Sequence, residues 1–290
     1  LSQHLIIPLF FHKIRQKNLQ ILFPTDFIDY ISKIYEINKN RNKILIEELH
    51  FIEDLCKRYS KEIIFLKGSS FLINNFYSDP GIRMIGDIDF LIHEKDQLDI
   101  EKMFKDCGYK KMSDYDFFPY RHLIRRINKN KLFAIEPHLY LSDKKIINPK
   151  EIFETKKKTI STPSDIYMLI HNIYNFMIND NGNKKLNYSY RSIYDTYVLL
   201  EREIHFFDKK DEYINNYSIV MENLGIEKKV IPQIQKNLFY YKFKYLRKNK
   251  SIYKIYIICS EAIEKIHEIL KKLLMVLKNE KYRRHLSKKL

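Results

Sequence analysis

A chain of 290 residues, 45% apolar and 14% aromatic, can bury one large core or two modest ones and is not a solvated tail. No apolar run approaches the roughly 18 residues of a membrane span. Cys56, Cys107 and Cys259 lie too far apart for a CxxC zinc pair or a disulfide framework. The thiols fit a reducing compartment, and Leu5 to Phe11 is too short, without a basic flank, to be a secretion signal. A cytoplasmic location is therefore expected. The net charge of +16 is uneven, because residues 231–290 hold 16 Lys/Arg against 4 Glu. Such a tail invites nucleic acid or an acidic protein partner, although an AT-rich coding sequence produces the same bias without selection for binding.

Ile44, Leu45, Leu49, Ile52 and Leu55 have the spacing of one helical face. Glu62 to Leu66 reads as a short buried strand. After Gly68-Ser69-Ser70, the stretch Phe71 to Tyr77 reads as a helix, followed by a turn at Ser78-Asp79-Pro80-Gly81. Asp87 to Ile92 is a second strand, and Asp96 to Cys107 a helix that Gly108 ends. Arg121 to Ile127 and Lys131 to Leu141 flank Asn128-Lys129-Asn130 as an antiparallel hairpin. Thr162-Pro163-Ser164-Asp165 then announces a helix, with Thr162 as cap and Asp165 completing a capping box. Helical periodicity continues over about 163–178, 187–203, 210–224, 230–248 and 251–280, with Pro232 near the start of the fourth. The fold class is α+β. A helical segment at 1–60 precedes a small mixed-sheet core at 61–150, and an all-α region follows at 151–290.

Within the second strand, Asp87 and Asp89 are two residues apart and share a face. Two adjacent carboxylates repel unless a cation joins them. Glu136 is a lone acid in the apolar run Leu132 to Glu136 and is the third candidate. Phosphoryl chemistry is largely electrostatic, and hard cations such as Mg²⁺ (or Mn²⁺) are held by a few carboxylates together with substrate phosphates. Upstream, Lys67-Gly68-Ser69-Ser70 joins a strand to a helix, where glycine permits close approach and serines grip phosphate oxygens. Arg83 is a further candidate partner for a triphosphate. About four acid-x-acid pairs are expected by chance in this composition, so the ordered set carries the reading and no single motif does.

Leu66-Lys67-Gly68-Ser69-Ser70, Tyr77, Arg83 to Ile92 and Gly108-Tyr109 resemble the uncharacterised bacterial nucleotidyltransferase family with its LKG…DIDLLV…GY pattern. The resemblance continues through His122, Glu136-Pro137-His138, Pro163-Ser164-Asp165, His171-Asn172 and Arg191 to Asp195, and covers about 44–200. It implies the DNA polymerase β-like nucleotidyltransferase fold with a Gly-Ser turn, a DxD pair and a third acid, and leaves the acceptor unknown. Expected from it is transfer of NMP from an NTP, ATP first, to a hydroxyl of a small molecule or macromolecule. Asp87, Asp89 and Glu136 would hold the metal, with Glu136 helping to deprotonate the acceptor. Lys67, Gly68, Ser69, Ser70 and Arg83 would hold the nucleotide, while His138, His171 and Arg191 would contact the acceptor. The tyrosines 188, 190, 194 and 197 fit helix packing better than base stacking. Two other readings stay open: a protein- or tRNA-modifying toxin or regulator docking through the basic C-terminal helices, and a catalytically silent nucleotide-binding module. The helices beyond about 205 match nothing in that pattern.

Overall fold

The computed structural model describes residues 5–112, 121–142, 144–202, 211–226 and 234–278. In chain order it runs α1 (Ile7–Gln16), α2 (Thr25–Arg58), β1 (Ile63–Phe65), α3 (Lys67–Ile73), β2 (Asp87–Ile92), α4 (Gln97–Asp106), β3 (Lys110–Lys111), β4 (Arg126–Ile127) and β5 (Ala134–His138). There follow α5 (Pro149–Thr155), α6 (Asp165–Tyr174), α7 (Gly182–Lys185), α8 (Tyr190–Leu200), α9 (Glu212–Asn223), α10 (Leu238–Lys248) and α11 (Lys250–Lys278). The sheet order is β1-β2-β5-β4-β3. Only β2 and β5 are parallel; the other neighbours are antiparallel. This is the expected α+β class, with a mixed sheet and a helical C-terminal region. No helix among the described residues is long and apolar enough to cross a membrane.

Alternation along the strands divides the core. Ile63, Phe65, Ile88, Phe90, Ile92 and Ile135 pack with Leu45, Leu49 and Ile52 of α2 and with Ile100, Met103 and Phe104 of α4. Ile64, Leu66 and Leu91 belong to a different cluster, which continues through Phe71 of α3 into Met168, Leu169 and Ile173 of α6 and on to α8, α9 and α10. β1 and β2 thus present alternate residues to the helices of the C-terminal region.

The buried stripe of α2 runs Ile31, Tyr35, Asn38, Asn42, Leu45, Leu49 and Ile52, so two amides occupy positions where the helical period calls for apolar residues. Both act as clamps. Asn38 Nδ2 donates to Gly81 O (2.7 Å) and Arg83 O (3.1 Å), and Asn42 Nδ2 to Pro80 O (2.5 Å) and Arg83 O (2.7 Å). The loop leading into β2 is fixed by these bonds.

Several boundaries differ from the sequence reading for local reasons. The helix expected at Phe71–Tyr77 starts four residues earlier, because Lys67 takes a left-handed backbone (φ +49°) that turns the chain directly from β1 into α3. Gly68 gives room to a neighbour: a Cβ there would lie 2.8 Å from Ile85 Cγ1. Thr162 does not cap α6. Ser164 is the N-cap residue, and Thr162 Oγ1 accepts instead from Asn74 Nδ2 at 2.9 Å. Asp165 pairs with Lys157 (2.5 Å). The expected hairpin is reduced to Arg126↔Ile135 and an isolated bridge His122↔His138. The first strand has one extra residue between these two pairings, a bulge, and Glu48 of α2 accepts the amides of Leu132 and Phe133, drawing them off the ladder. Gly108 behaves as expected, left-handed (φ +86°) after α4. The fourth C-terminal helix begins only at Leu238, capped by Asn237; Pro232 and its neighbours 230–233 lie outside the described residues.

Candidate active site

In the β2–β5 register Asp87 faces Ala134, Asp89 faces Glu136 and Leu91 faces His138. Parallel register partners share a face, so Asp87, Asp89, Glu136 and His138 stand together on the side of the sheet turned toward the C-terminal helices. Leu66 N donates to Asp89 O (2.9 Å), which fixes the start of α3 beside the pair. The side chains of Asp89, Glu136 and Asp87 are 6%, 15% and 29% exposed.

Three carboxylates in so dry a place need compensation. Lys67 Nζ lies 2.7 Å from Asp89 Oδ1, and His138 Nε2 lies 2.8 Å from the same oxygen and 3.3 Å from Glu136 Oε2. Burial alone would raise the Asp89 carboxyl, but Lys67 and His138 together hold it far below the usual carboxylate range. Glu136 is likewise lowered, burial being outweighed by the His138 hydrogen bond and His122. Asp87 goes the other way, raised by burial and then by the negative charge of Asp89, with Glu136 adding to it. Its nearest cation is Arg125, 3.7 Å away. The oxygen donors crowded on this face suit a hard divalent cation. The tightest donor group is Asp89, Glu136 and His138, each with an atom within 4.8 Å of the others. Asp87, expected as a metal ligand, lies on the same face but outside this group.

The carboxylate face opens onto a cleft of about 180 Å³. Lys67, Gly68, Ser70, Arg83, Asp87, Asp89 and Arg121 line it on one side, and His171, Asn172, Asn175, Asp180, Arg191 and Asp195 on the other. Of the residues expected to hold nucleotide, Ser69 and Arg83 are placed differently from the reading. Ser69 does not line the cleft and its buried Oγ has no hydrogen-bond partner among the described residues. Arg83 lines it but is already committed. Its Nε and Nη2 donate to Asp195 of α8 at 2.9–3.2 Å, and its Nη1 to Met84 O at 2.7 Å. Tyr77 Oη donates to the same Asp195 carboxylate. Burial opposes the charge on Arg83, yet Asp195 holds its pKa up. This bidentate pair fastens the loop before β2 to the helical region.

Of the residues expected at the acceptor, His138 is fully buried, hydrogen-bonded to the carboxylates and absent from the cleft lining. Its ring contacts the acids and not the open space of the cleft. Glu136 does not line the cleft either. His171 and Arg191 do. His171 is 3% exposed, its Nε2 has no hydrogen-bond partner among the described residues, and burial, with Lys67 and His138 adding, pushes its pKa down to about 3. It is a neutral imidazole at physiological pH. The Arg191 guanidinium makes no hydrogen bond or ion pair among the described residues, and burial and Arg83 lower its pKa. The tyrosines behave as packing groups. Tyr194 stacks on Tyr77 (6.2 Å between centroids), and none of the four lines the cleft.

Asp180 escaped the sequence reading. A π-helical turn, Asn175–Asn179, follows α6 and delivers Asp180 to the cleft, where burial raises its carboxyl. The turn is locked by Asn181 in the left-handed region (φ +58°) and by Gly182, where a Cβ would sit 2.7 Å from the Phe176 ring. Asn179-Asp180-Asn181-Gly182 was the available signal, a cluster of residues that tolerate such backbone. Asn38 and Asn42 were legible only as polar interruptions of an apolar stripe.

The sequence model of the uncharacterised nucleotidyltransferases matches residues 1–217. The chain belongs to that family. It is a nucleotidyltransferase, and the family match takes in every site residue named above. No curated protein matches it in sequence. Among solved structures it is similar to the antibiotic-resistance factor ANT(2'')-Ia, with a TM-score of 0.40 and 9% identity over 55% of this chain and 84% of that one.

Proposed function

We propose that this nucleotidyltransferase moves an NMP unit from an NTP, ATP first, to a hydroxyl of an acceptor held against the C-terminal helices. The observation that supports it most is the juxtaposition of Asp89 and Glu136 as register partners on adjacent parallel strands, with Asp87 on the same face and Lys67 closing over Asp89. Asp87, Asp89 and Glu136 would hold Mg²⁺ (or Mn²⁺), with His138 fixing the orientation of the latter two. The cation would neutralise charge on the phosphates and the attacking oxygen. Lys67 and Ser70 stand beside the carboxylates on the cleft wall, where phosphate oxygens need a cation and a hydroxyl. Residues 61–150 in this reading hold the NTP, and residues after 150 select the acceptor through His171, Arg191 and Asp180. Glu136, already bonded to His138 and outside the cleft lining, serves as a ligand rather than as the base.

The test is incubation with an α-labelled NTP, divalent cation and cell lysate, followed by separation of RNA, protein and small-molecule fractions. Label is expected in one fraction with release of pyrophosphate, and both are expected to vanish in Asp87→Asn/Asp89→Asn at unchanged circular dichroism. The fraction that takes the label tells a small-molecule acceptor from a modified tRNA or protein. Full activity in the double variant would overturn the assignment. Loss of metal binding without any labelled product from the wild type would leave a silent binding module.

A further inference from the structure

We infer that α11 is a self-association helix, whose apolar face is covered by α11 of a second copy of this chain. The inference is independent of the transfer reading and concerns a helix beyond the residues that the family match covers.

Ile252, Tyr256, Cys259, Ile263, Ile266, Leu270 and Leu273 follow one another at alternating intervals of four and three, the seam of a left-handed coiled coil. The positions flanking that seam carry no charge: Ile255, Ala262 and Ile269 on one side, Tyr253, Ser260, His267 and Leu274 on the other. Lys254, Glu261, Glu264, Lys265 and Lys272 all fall on the three remaining heptad positions. A helix meant to lie alone in water has no reason to keep every one of these charges off the seam and its flanks.

The N-terminal part of α11 is anchored. Tyr253 Oη donates to Lys185 O (3.1 Å), Tyr256 Oη to Lys184 O (2.5 Å), and Lys185 lies 3.8 Å from Glu264. Farther along, Ile263, Ile266, Ile269, Leu270, Leu273 and Leu274 are 53–66% exposed, and Ile252 and Ile255 are 42% and 61% exposed. These side chains together expose on the order of 800 Å², comparable with the roughly 800 Å² per partner of a standard stable interface. Monomers seldom show so large a contiguous apolar patch.

Charge selects the occupant. The polar side of α11 mixes Glu261 and Glu264 with Lys254, Lys265 and Lys272, so a phosphate-bearing nucleic acid or an anionic bilayer meets carboxylates in the middle of the stretch it must approach. A second copy of the helix meets only uncharged flanks along the seam, in either direction. The 3.5-residue period likewise suits a partner helix better than a flat bilayer surface.

Light scattering on the full chain after gel filtration, at tens of micromolar, should give twice the 35.4 kDa chain mass. Ile266→Glu/Leu270→Glu, at positions already exposed, should give the single-chain mass with unchanged circular dichroism. Lys265→Gln/Lys272→Gln, off the seam, should remain dimeric. A monomeric wild type, or a dimer that survives the seam substitutions, overturns the inference. So does a wild type that is monomeric in buffer but floats with vesicles containing anionic phospholipid, which would make the face a membrane-contact surface.

Discussion

The two walls of the cleft are built on opposite principles. On the sheet wall nearly every charge has a partner: Asp89 has Lys67 and His138, Glu136 has His138, and Arg83 has Asp195. On the helical wall His171 Nε2 has no hydrogen-bond partner among the described residues, the Arg191 guanidinium has only the through-space attraction of Asp195 and Asp180, and the Asp180 carboxyl sits where burial raises it. Paired charges keep one geometry, as a reaction that needs reacting groups in place requires. Unpaired buried groups carry a desolvation cost that a ligand relieves on arrival. The sheet wall therefore holds its charges in one arrangement, while the helical wall keeps polar groups that a ligand would satisfy.

Substitutions on the two walls should accordingly fail in different ways. The largest effect is expected from Asp89→Asn, which removes the negative charge shared by Lys67 and His138. Transfer should fall by roughly 10³-fold or more, measured as pyrophosphate release, with unchanged far-UV circular dichroism. Asp195→Asn attacks the joint between the walls by leaving Arg83 buried and uncompensated. Loss of a buried partner costs about 3–5 kcal/mol, and chemical denaturation should show it. A loss under about 1 kcal/mol would mean that water already solvates the pair.

Arg191→Gln should reduce transfer by about 10- to 100-fold, the value of one charge-assisted contact, while calorimetry shows NTP binding unchanged. Weakened NTP binding would move Arg191 to the triphosphate and dissolve the distinction between the walls. Gly68→Ala drives a methyl into Ile85 and should cost about 1–2 kcal/mol in stability, with the tilt of α3 read out through Lys67.

The smallest effect is one of pH. His171 is held near 3 in the folded state against an ordinary 6.5. Between those values the unfolded chain binds a proton that the folded chain does not, so this contribution to stability is complete above pH 6.5 and declines as pH falls toward 3. In His171→Gln the melting temperature should fall less between pH 7 and pH 5 than in the wild type. Parallel curves would show that His171 takes up its proton without disturbing the fold.

The site was legible in the sequence to different depths. Asp87, Asp89 and Glu136 could be found because strand alternation is a local property and an acid in an apolar run is conspicuous. Arg83 could be found as a charge near the pair, but not its partner, since Asp195 is 112 residues away and nothing local links the two. His138 could be picked out but not its neighbours, because the β2–β5 register alone decides that its ring reaches two carboxylates. Asp180 was missed because a π-turn leaves no periodic signature, and Asn38 and Asn42 because a polar residue in an apolar stripe does not announce what it clamps.

The sequence by itself determined the class of elements, the charged strand face, the metal-compatible acids and the heptad pattern of α11, all of which follow from spacing along one segment. Tertiary structure decided the rest. It set which of two adjacent strands brings Glu136 level with Asp89, which cation is consumed by Asp195, and which groups on the helical wall stay unpaired. Those outcomes depend on contacts between segments far apart in the chain. Burial there sets the strength of every charge interaction, and burial is a property of the assembled core.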